Sequence, residues 1–114
     1  MTKEERIQKA VALFKEGYNC SQSVVGAYAD MYGFTFEQAL HMAASFGGGI
    51  GRMRETCGAA CGMFLLAGLE RCAVEGADRE GKAANYKLVQ ELAAKFKEEC
   101  GALRCCELLG LSKK

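Results

Sequence analysis

The chain has no proline and fourteen glycines in 114 residues. Average proline usage near 5% would place about six in a chain of this length. Proline ends or kinks a helix by removing a donor and clashing with the preceding turn. Without it the chain can run as helix for most of its length, with glycine left to stop each segment. The apolar spacing agrees: Ile7, Ala10, Val11 and Phe14 recur at helical intervals among Lys and Glu residues. No segment shows the sustained alternation of a strand.

Six helices follow from this punctuation. Thr2 caps the first, Lys3 to Glu16, which stops at Gly17 with Ile7, Ala10, Val11 and Phe14 inward. Asn19 caps the second, Cys20 to Met31, with Gln22 completing a capping box. Val24, Tyr28 and Met31 line its stripe, with Val25 and Tyr32 beside it, and Gly33 ends it. Thr35 and Gln38 form a second box opening a third helix to Ser45, with Phe36, Ala39, Leu40 and Ala43 inward. After the glycine-rich run from Gly47 to Gly51, Thr56 caps a fourth helix from Cys57 to Val74. That helix is nearly uncharged until Glu70, which predicts a central, buried one. A fifth spans Glu80 to Glu99, with Tyr86, Val89, Ala93 and Phe96 in one stripe, and a short last one covers Arg104 to Leu109. The expected fold is all-α: one domain over residues 1–114, a compact bundle of five helices plus a short C-terminal one, packed around helix 57–74.

Charge and composition exclude several roles. Fifteen basic against fourteen acidic residues leave a net charge of +1, which argues against nucleic-acid binding. His41 is the one histidine, so zinc patterns needing two are excluded, and no Cys-x-x-Cys-His stretch exists for covalent haem. The longest apolar-rich run, Ala59 to Leu69, falls short of the ~20 residues of a membrane span. The N-terminal stretch has no apolar signal region, so a cytoplasmic location is expected. Thiols stay reduced there, and seven cysteines cannot all pair within one chain.

The cysteines carry the chemistry. Cys20 and Cys57 fall at expected first positions of helices, and Cys105 and Cys106 near the start of the last one. Free amides and the positive end of the helix dipole stabilise a thiolate there, and a thiolate is both nucleophile and metal ligand. Cys57 and Cys61 are four apart, hence on one helical face. Gly58 and Gly62 accompany them and let a backbone, cluster or cofactor come close. Gly48, Gly49 and Gly51, with Arg52, are the candidate cofactor-contacting positions for the same reason. Arg52 and Arg54 precede Cys57 and are placed to stabilise its thiolate or hold an anion. Cys72 and Cys100 occupy positions compatible with core packing. No phosphate-binding glycine motif is present.

At these residues the sequence resembles a family of redox-active proteins named for the cysteine pattern C_GCAxxG_C_C. The matching stretches are Gly17-Tyr18-Asn19-Cys20-Ser21-Gln22-Ser23-Val24, Phe46-Gly47-Gly48-Gly49-Ile50-Gly51-Arg52-Met53, Cys57-Gly58-Ala59-Ala60-Cys61-Gly62 and Cys105-Cys106-Glu107-Leu108-Leu109-Gly110. The central motif runs Cys-Gly-Ala rather than Gly-Cys-Ala, and Cys61, Cys72, Cys100 and Cys106 stand outside the pattern. The resemblance implies redox work, by thiol chemistry or an iron–sulfur cluster.

Three readings compete. In the first, Cys20, Cys57 and Cys105 carry thiol–disulfide exchange, as in an oxidoreductase, with a redox protein or small molecule as partner. In the second, Cys20, Cys57, Cys61 and Cys105 ligate a [2Fe–2S] cluster or zinc. In the third, the chain is a non-catalytic helical module, with a second copy of itself as partner.

Overall fold

Three capping boxes set where the first three helices begin. The Thr2, Asn19 and Thr35 side chains accept from the amides of Glu5 (3.1 Å), Gln22 (2.8 Å) and Gln38 (3.1 Å). The Glu5, Gln22 and Gln38 side chains return the bond to the amides of Thr2, Asn19 and Thr35. Each box satisfies two amides that a helix start leaves open. In the computed structural model, which describes residues 2–71 and 75–110, these boxes open α1 (Lys3–Lys15), α2 (Cys20–Tyr28) and α3 (Phe36–Ala43). Then follow α4 (Gly58–Glu70), α5 (Arg79–Cys100), capped by Asp78, and the short α6 (Cys105–Leu108). Tight 3-10 turns at Ala29–Tyr32 and Ala44–Phe46 extend α2 and α3. The fold is all-α, a compact bundle of helices. Among the described residues the extended pairing is limited to an isolated antiparallel bridge between Thr56 and Arg104.

The expected α2 ran on to Met31, but the α-helix stops at Tyr28. Arg6 reaches across from α1 and donates to the Ala27 carbonyl at 2.9 Å and to Asp30 at 2.7 Å. That carbonyl would otherwise accept from an amide four residues on. The chain tightens instead and turns out at Gly33, whose φ of 82° suits glycine.

The bundle is organised by α2 together with α4, rather than around α4 alone. α2 packs against α1, α3 and α4, while α4 packs against α2 and α5. Small residues make this possible: Ser21, Ser23, Gly26 and Ala27 are buried on α2, and Gly58, Ala60, Gly62 and Ala67 on α4. A Cβ added at Gly62 would stand 3.2 Å from the Ser21 carbonyl oxygen and from Val24 Cβ, so the crossing is close. Val25, Ala29, Ala39 and Ala43 form the core, with Phe34, Leu65 and Leu66 packed on it. The larger side chains of α4, Met63 to Leu66, are only half-buried.

Two expected inward stripes are turned outward. Arg6 and Leu13 are the buried residues of α1, whereas Ile7, Val11 and Phe14 are 44%, 50% and 60% exposed. The bonds of Arg6 to α2 select which face of α1 is covered. On α2 the fully buried apolar residues are Val25 and Ala27, while Met31, in the turn that follows, is 55% exposed. Ile7, Val11, Val24 and Tyr28 instead line an open apolar groove of about 560 Å3 together with Leu92 and Phe96 of α5. No residue of α5 is fully buried, and Tyr86 is 60% exposed. The last residues of the expected fourth helix, Cys72 to Val74, lie outside the described residues. Among the described residues no helix is long and apolar enough to cross a membrane.

Candidate functional site

Cys20 is the first residue of α2, held there by the Asn19 capping box. Asn19 also donates through Nδ2 to the Ala44 carbonyl at 3.1 Å, tying the start of α2 to the segment before the glycine run. Gly47 packs on the Asn19 side chain, and a Cβ at Gly47 would overlap it. Gly58 packs on Cys20: a Cβ there would overlap Cys20 Sγ and stand 2.6 Å from the Phe46 carbonyl oxygen. The Cys20 sulfur thus lies against the residue that directly follows Cys57.

The sequence placed Cys57 at the first position of α4; the structure makes it the N-cap, with Gly58 first. The Thr56–Arg104 bridge explains the shift. Thr56 is engaged in the bridge, and the Cys57 amide donates to the Leu103 carbonyl at 2.8 Å. Across the bridge the Cys105 amide donates to the Glu55 carbonyl, and Arg104 pairs with Glu55 at 3.1 Å. Leu103 therefore faces Cys57, and Cys105 sits two positions further on. Such diagonal neighbours across an antiparallel pair are about 7–8 Å apart.

Cys61 lies one turn into α4, half-buried, with its Sγ 3.8 Å from the Thr56 carbonyl oxygen. Burial pushes the Cys61 thiol up, and the nearby sulfurs of Cys57 and Cys20 add to the shift, since a third negative charge beside two others is disfavoured. Cys61 therefore keeps its proton where an ordinary thiol begins to lose it.

Cys105 opens α6 and is buried, 9% exposed. It packs on Gly49, where a Cβ would meet Cys105 Cβ at 2.5 Å. Arg54 donates to Cys105 Sγ at 3.6 Å. The guanidinium expected beside Cys57 thus serves Cys105, because the antiparallel register of the bridge runs on to Arg54, whose carbonyl accepts from the Cys106 amide. Cys106 is 1% exposed and donates its amide to the Arg54 carbonyl at 3.1 Å, a packing residue. Cys100 is exposed, contrary to the expected core position, because α5 leaves that face uncovered. Cys72 lies outside the described residues. His41 is exposed on α3.

The glycine run holds these thiols in place through an unusual backbone. Five consecutive residues have left-handed φ: Gly48 (68°), Gly49 (76°), Ile50 (63°), Gly51 (56°) and Arg52 (64°). Arg54 follows with 63°. Left-handed geometry costs roughly 1–2 kcal/mol per non-glycine residue, and for β-branched Ile50 it is a true outlier. Long-reach bonds hold it: Gly51 N–H to Ser45 O at 2.7 Å, Arg54 N–H to Gly48 O at 3.2 Å and Glu55 N–H to Gly49 O at 2.9 Å. The glycines were visible in the sequence, but the strain at Ile50, Arg52 and Arg54 was not. The loop runs from Asn19, the neighbour of Cys20, at Gly47 to Cys105 at Gly49. Beside it lies an open polar cleft of about 750 Å3, lined by Asn19, Gly47, Gly48, Gly51, Arg52 and Arg54.

Among the described residues no three Cys, His, Asp or Glu side chains are grouped to hold a metal ion. Cys105 faces a cationic donor in Arg54, and Cys61 favours its protonated form.

No curated protein and no solved structure matches the chain. One family model, described as "Putative redox-active protein (C_GCAxxG_C_C)", matches residues 18–114. That span contains Cys20, the left-handed glycine loop, the Cys57–Cys61 turn and Cys105. The chain therefore belongs to the C_GCAxxG_C_C family of redox-active cysteine proteins.

Proposed function

We propose that the protein performs thiol–disulfide exchange with Cys20 and Cys57 as its dithiol, in a reducing, cytoplasmic setting. The observation that carries this reading is the packing of Cys20 Sγ on Gly58, immediately after Cys57. Both thiols are half-buried, open enough to meet a substrate, whereas Cys105 is buried. Cys20 sits at the start of a nine-residue helix, where the helix dipole favours negative charge.

The reaction balances without a metal. The Cys20 thiolate attacks one sulfur of a disulfide RS–SR and displaces RS⁻, which takes up a proton. The Cys57 thiolate then attacks the Cys20 sulfur of the mixed disulfide and releases the second RS⁻. The protein ends as the Cys20–Cys57 disulfide, and two electrons have passed to the substrate. Cys105, held by Arg54, is a third, buried thiol. Cys61, whose ionisation burial disfavours, stays a thiol during the exchange.

Trapping tests this order of events. Cys57→Ser should accumulate a mixed disulfide on Cys20 when challenged with hydroxyethyl disulfide, seen as an added thiol mass on the Cys20 peptide. Cys20→Ser should accumulate none at the same challenge. Equal labelling of the two variants, or oxidation that proceeds unchanged in the double variant, would overturn the assignment.

A further inference from the structure

We propose that the polar cleft beside the glycine loop selects disulfides carrying an acidic group next to the sulfur. The proposal rests on the thiol-exchange reading and names the substrate class for it. The cleft holds about 750 Å3 and is lined by Asn19, Gly47, Gly48, Gly51, Arg52 and Arg54. Two cations face it, and no acidic side chain lines it. Among the described residues neither Arg52 nor Arg54 has a carboxylate within ion-pair distance, although the chain has fourteen acidic residues and pairs Arg6 and Arg104 with them.

The lining of the same cleft borders Cys20 at one end and Cys105 at the other. Asn19 directly precedes Cys20, and Gly47 packs on both the Asn19 side chain and Gly58. Arg54 reaches Cys105 Sγ at 3.6 Å. An acid group held by Arg52 and Arg54 would therefore bring its own sulfur toward Cys20. The left-handed backbone gives a physical reason for this arrangement. Arg52 and Arg54, both with left-handed φ, project from a strained loop that the fold holds in place, so the two backbone positions are fixed before a ligand arrives, and Arg54 is held further by Cys105. In the exchange, the sulfur attacked by Cys20 forms a bond to it, the substrate S–S bond breaks, and the departing thiolate carries away its acid group and takes up a proton.

Three disulfides of similar size and different charge test this: dithiodiglycolate (anionic), hydroxyethyl disulfide (neutral) and cystamine (cationic). The rate constant for oxidising the reduced protein should fall in that order. The anion should lead the neutral compound by roughly fivefold, the size of one charge contact at about 4 Å fully screened by water. That ratio should shrink toward one in Arg52→Gln and in Arg54→Gln, and with added salt. A binding readout keeps the test independent of exchange. Calorimetric titration of dithiodiglycolate onto Cys20→Ser, which lacks the attacking sulfur, should give heat that Arg52→Gln in the same background loses. If the three compounds oxidise the protein at equal rates, the cleft assignment is overturned while thiol exchange stands. If none of them oxidises it, thiol exchange itself is overturned, and heat in the calorimeter would then support the cleft alone as an anion site.

Discussion

Gly58 can be tested by adding one methyl group. In Gly58→Ala the new Cβ would overlap Cys20 Sγ, stand 2.6 Å from the Phe46 carbonyl oxygen and 3.3 Å from Gly47 Cα. Two of these neighbours are backbone atoms of the segment leading into the left-handed loop and cannot rotate aside. Overpacking costs about 1–3 kcal/mol, and immobile neighbours put this site in the upper half of that range. Alanine recovers up to about 1 kcal/mol of helix propensity, less in a first turn, leaving a net loss of about 1–2 kcal/mol. Gly68 is the control: it lies in the same helix with nothing among the described residues within 4 Å of its added Cβ. Gly68→Ala should therefore gain about 1 kcal/mol. The two variants should differ by about 2–3 kcal/mol, or roughly 10 °C in melting temperature for a chain of this size. Thermal and urea unfolding followed by circular dichroism would measure both. If Gly58→Ala proves as stable as Gly68→Ala, Cys20 is not packed on α4 as described, and the dithiol loses its geometric basis.

Other consequences follow from single groups. Ser21 Oγ is buried without a hydrogen-bond partner among the described residues, so Ser21→Ala should gain about 1 kcal/mol in urea unfolding; a loss would mean the hydroxyl is bonded. Cys61 has a folded-state thiol ionisation above the ordinary value, so the unfolded chain loses this proton first. Its contribution is complete below the ordinary thiol range and is lost as pH rises through the raised value. Cys61→Ala should therefore flatten the fall in stability between about pH 8 and pH 10, and an identical slope in the two proteins would refute this. Asp30 lies on the opposite limb. Its hydrogen bond from Arg6 holds the carboxyl below its usual range, so the stability it adds is present above that range and lost as pH falls through the lowered value. Arg6→Met should flatten the acid arm of a pH–stability profile.

The parts of this fold that could be read from the sequence are local ones. Thr2, Asn19 and Thr35 each cap a helix through a partner three residues away, and each helix starts at the residue expected. Cys20 was read correctly because its cap, Asn19, precedes it directly. Cys57 was misplaced by one residue because the bridge that engages Thr56 comes from Arg104, far along the chain. The inward face of α1 was misread for a similar reason. The apolar stripe of Ile7, Val11 and Phe14 is the stronger local signal, but Arg6 bonds to Ala27 and Asp30 of the next segment and turns the helix. Small residues marked both α2 and α4 as close-packing, and only their crossing shows that α2 contacts three neighbours. The approach of Arg54 to Cys105 was unreadable because it depends on left-handed geometry at residues that rarely adopt it.

The central claim is that Cys20 and Cys57 form the working dithiol, and peptide mapping of the whole protein tests it most directly. The reduced protein would be oxidised anaerobically with one equivalent of a small disulfide, alkylated and digested. The account predicts the loss of two hydrogens in a linked peptide joining Cys20 to Cys57, with Cys61 and Cys106 recovered as alkylated thiols. A product in which Cys20 and Cys57 are both recovered alkylated, with the new bond elsewhere or absent, would contradict it.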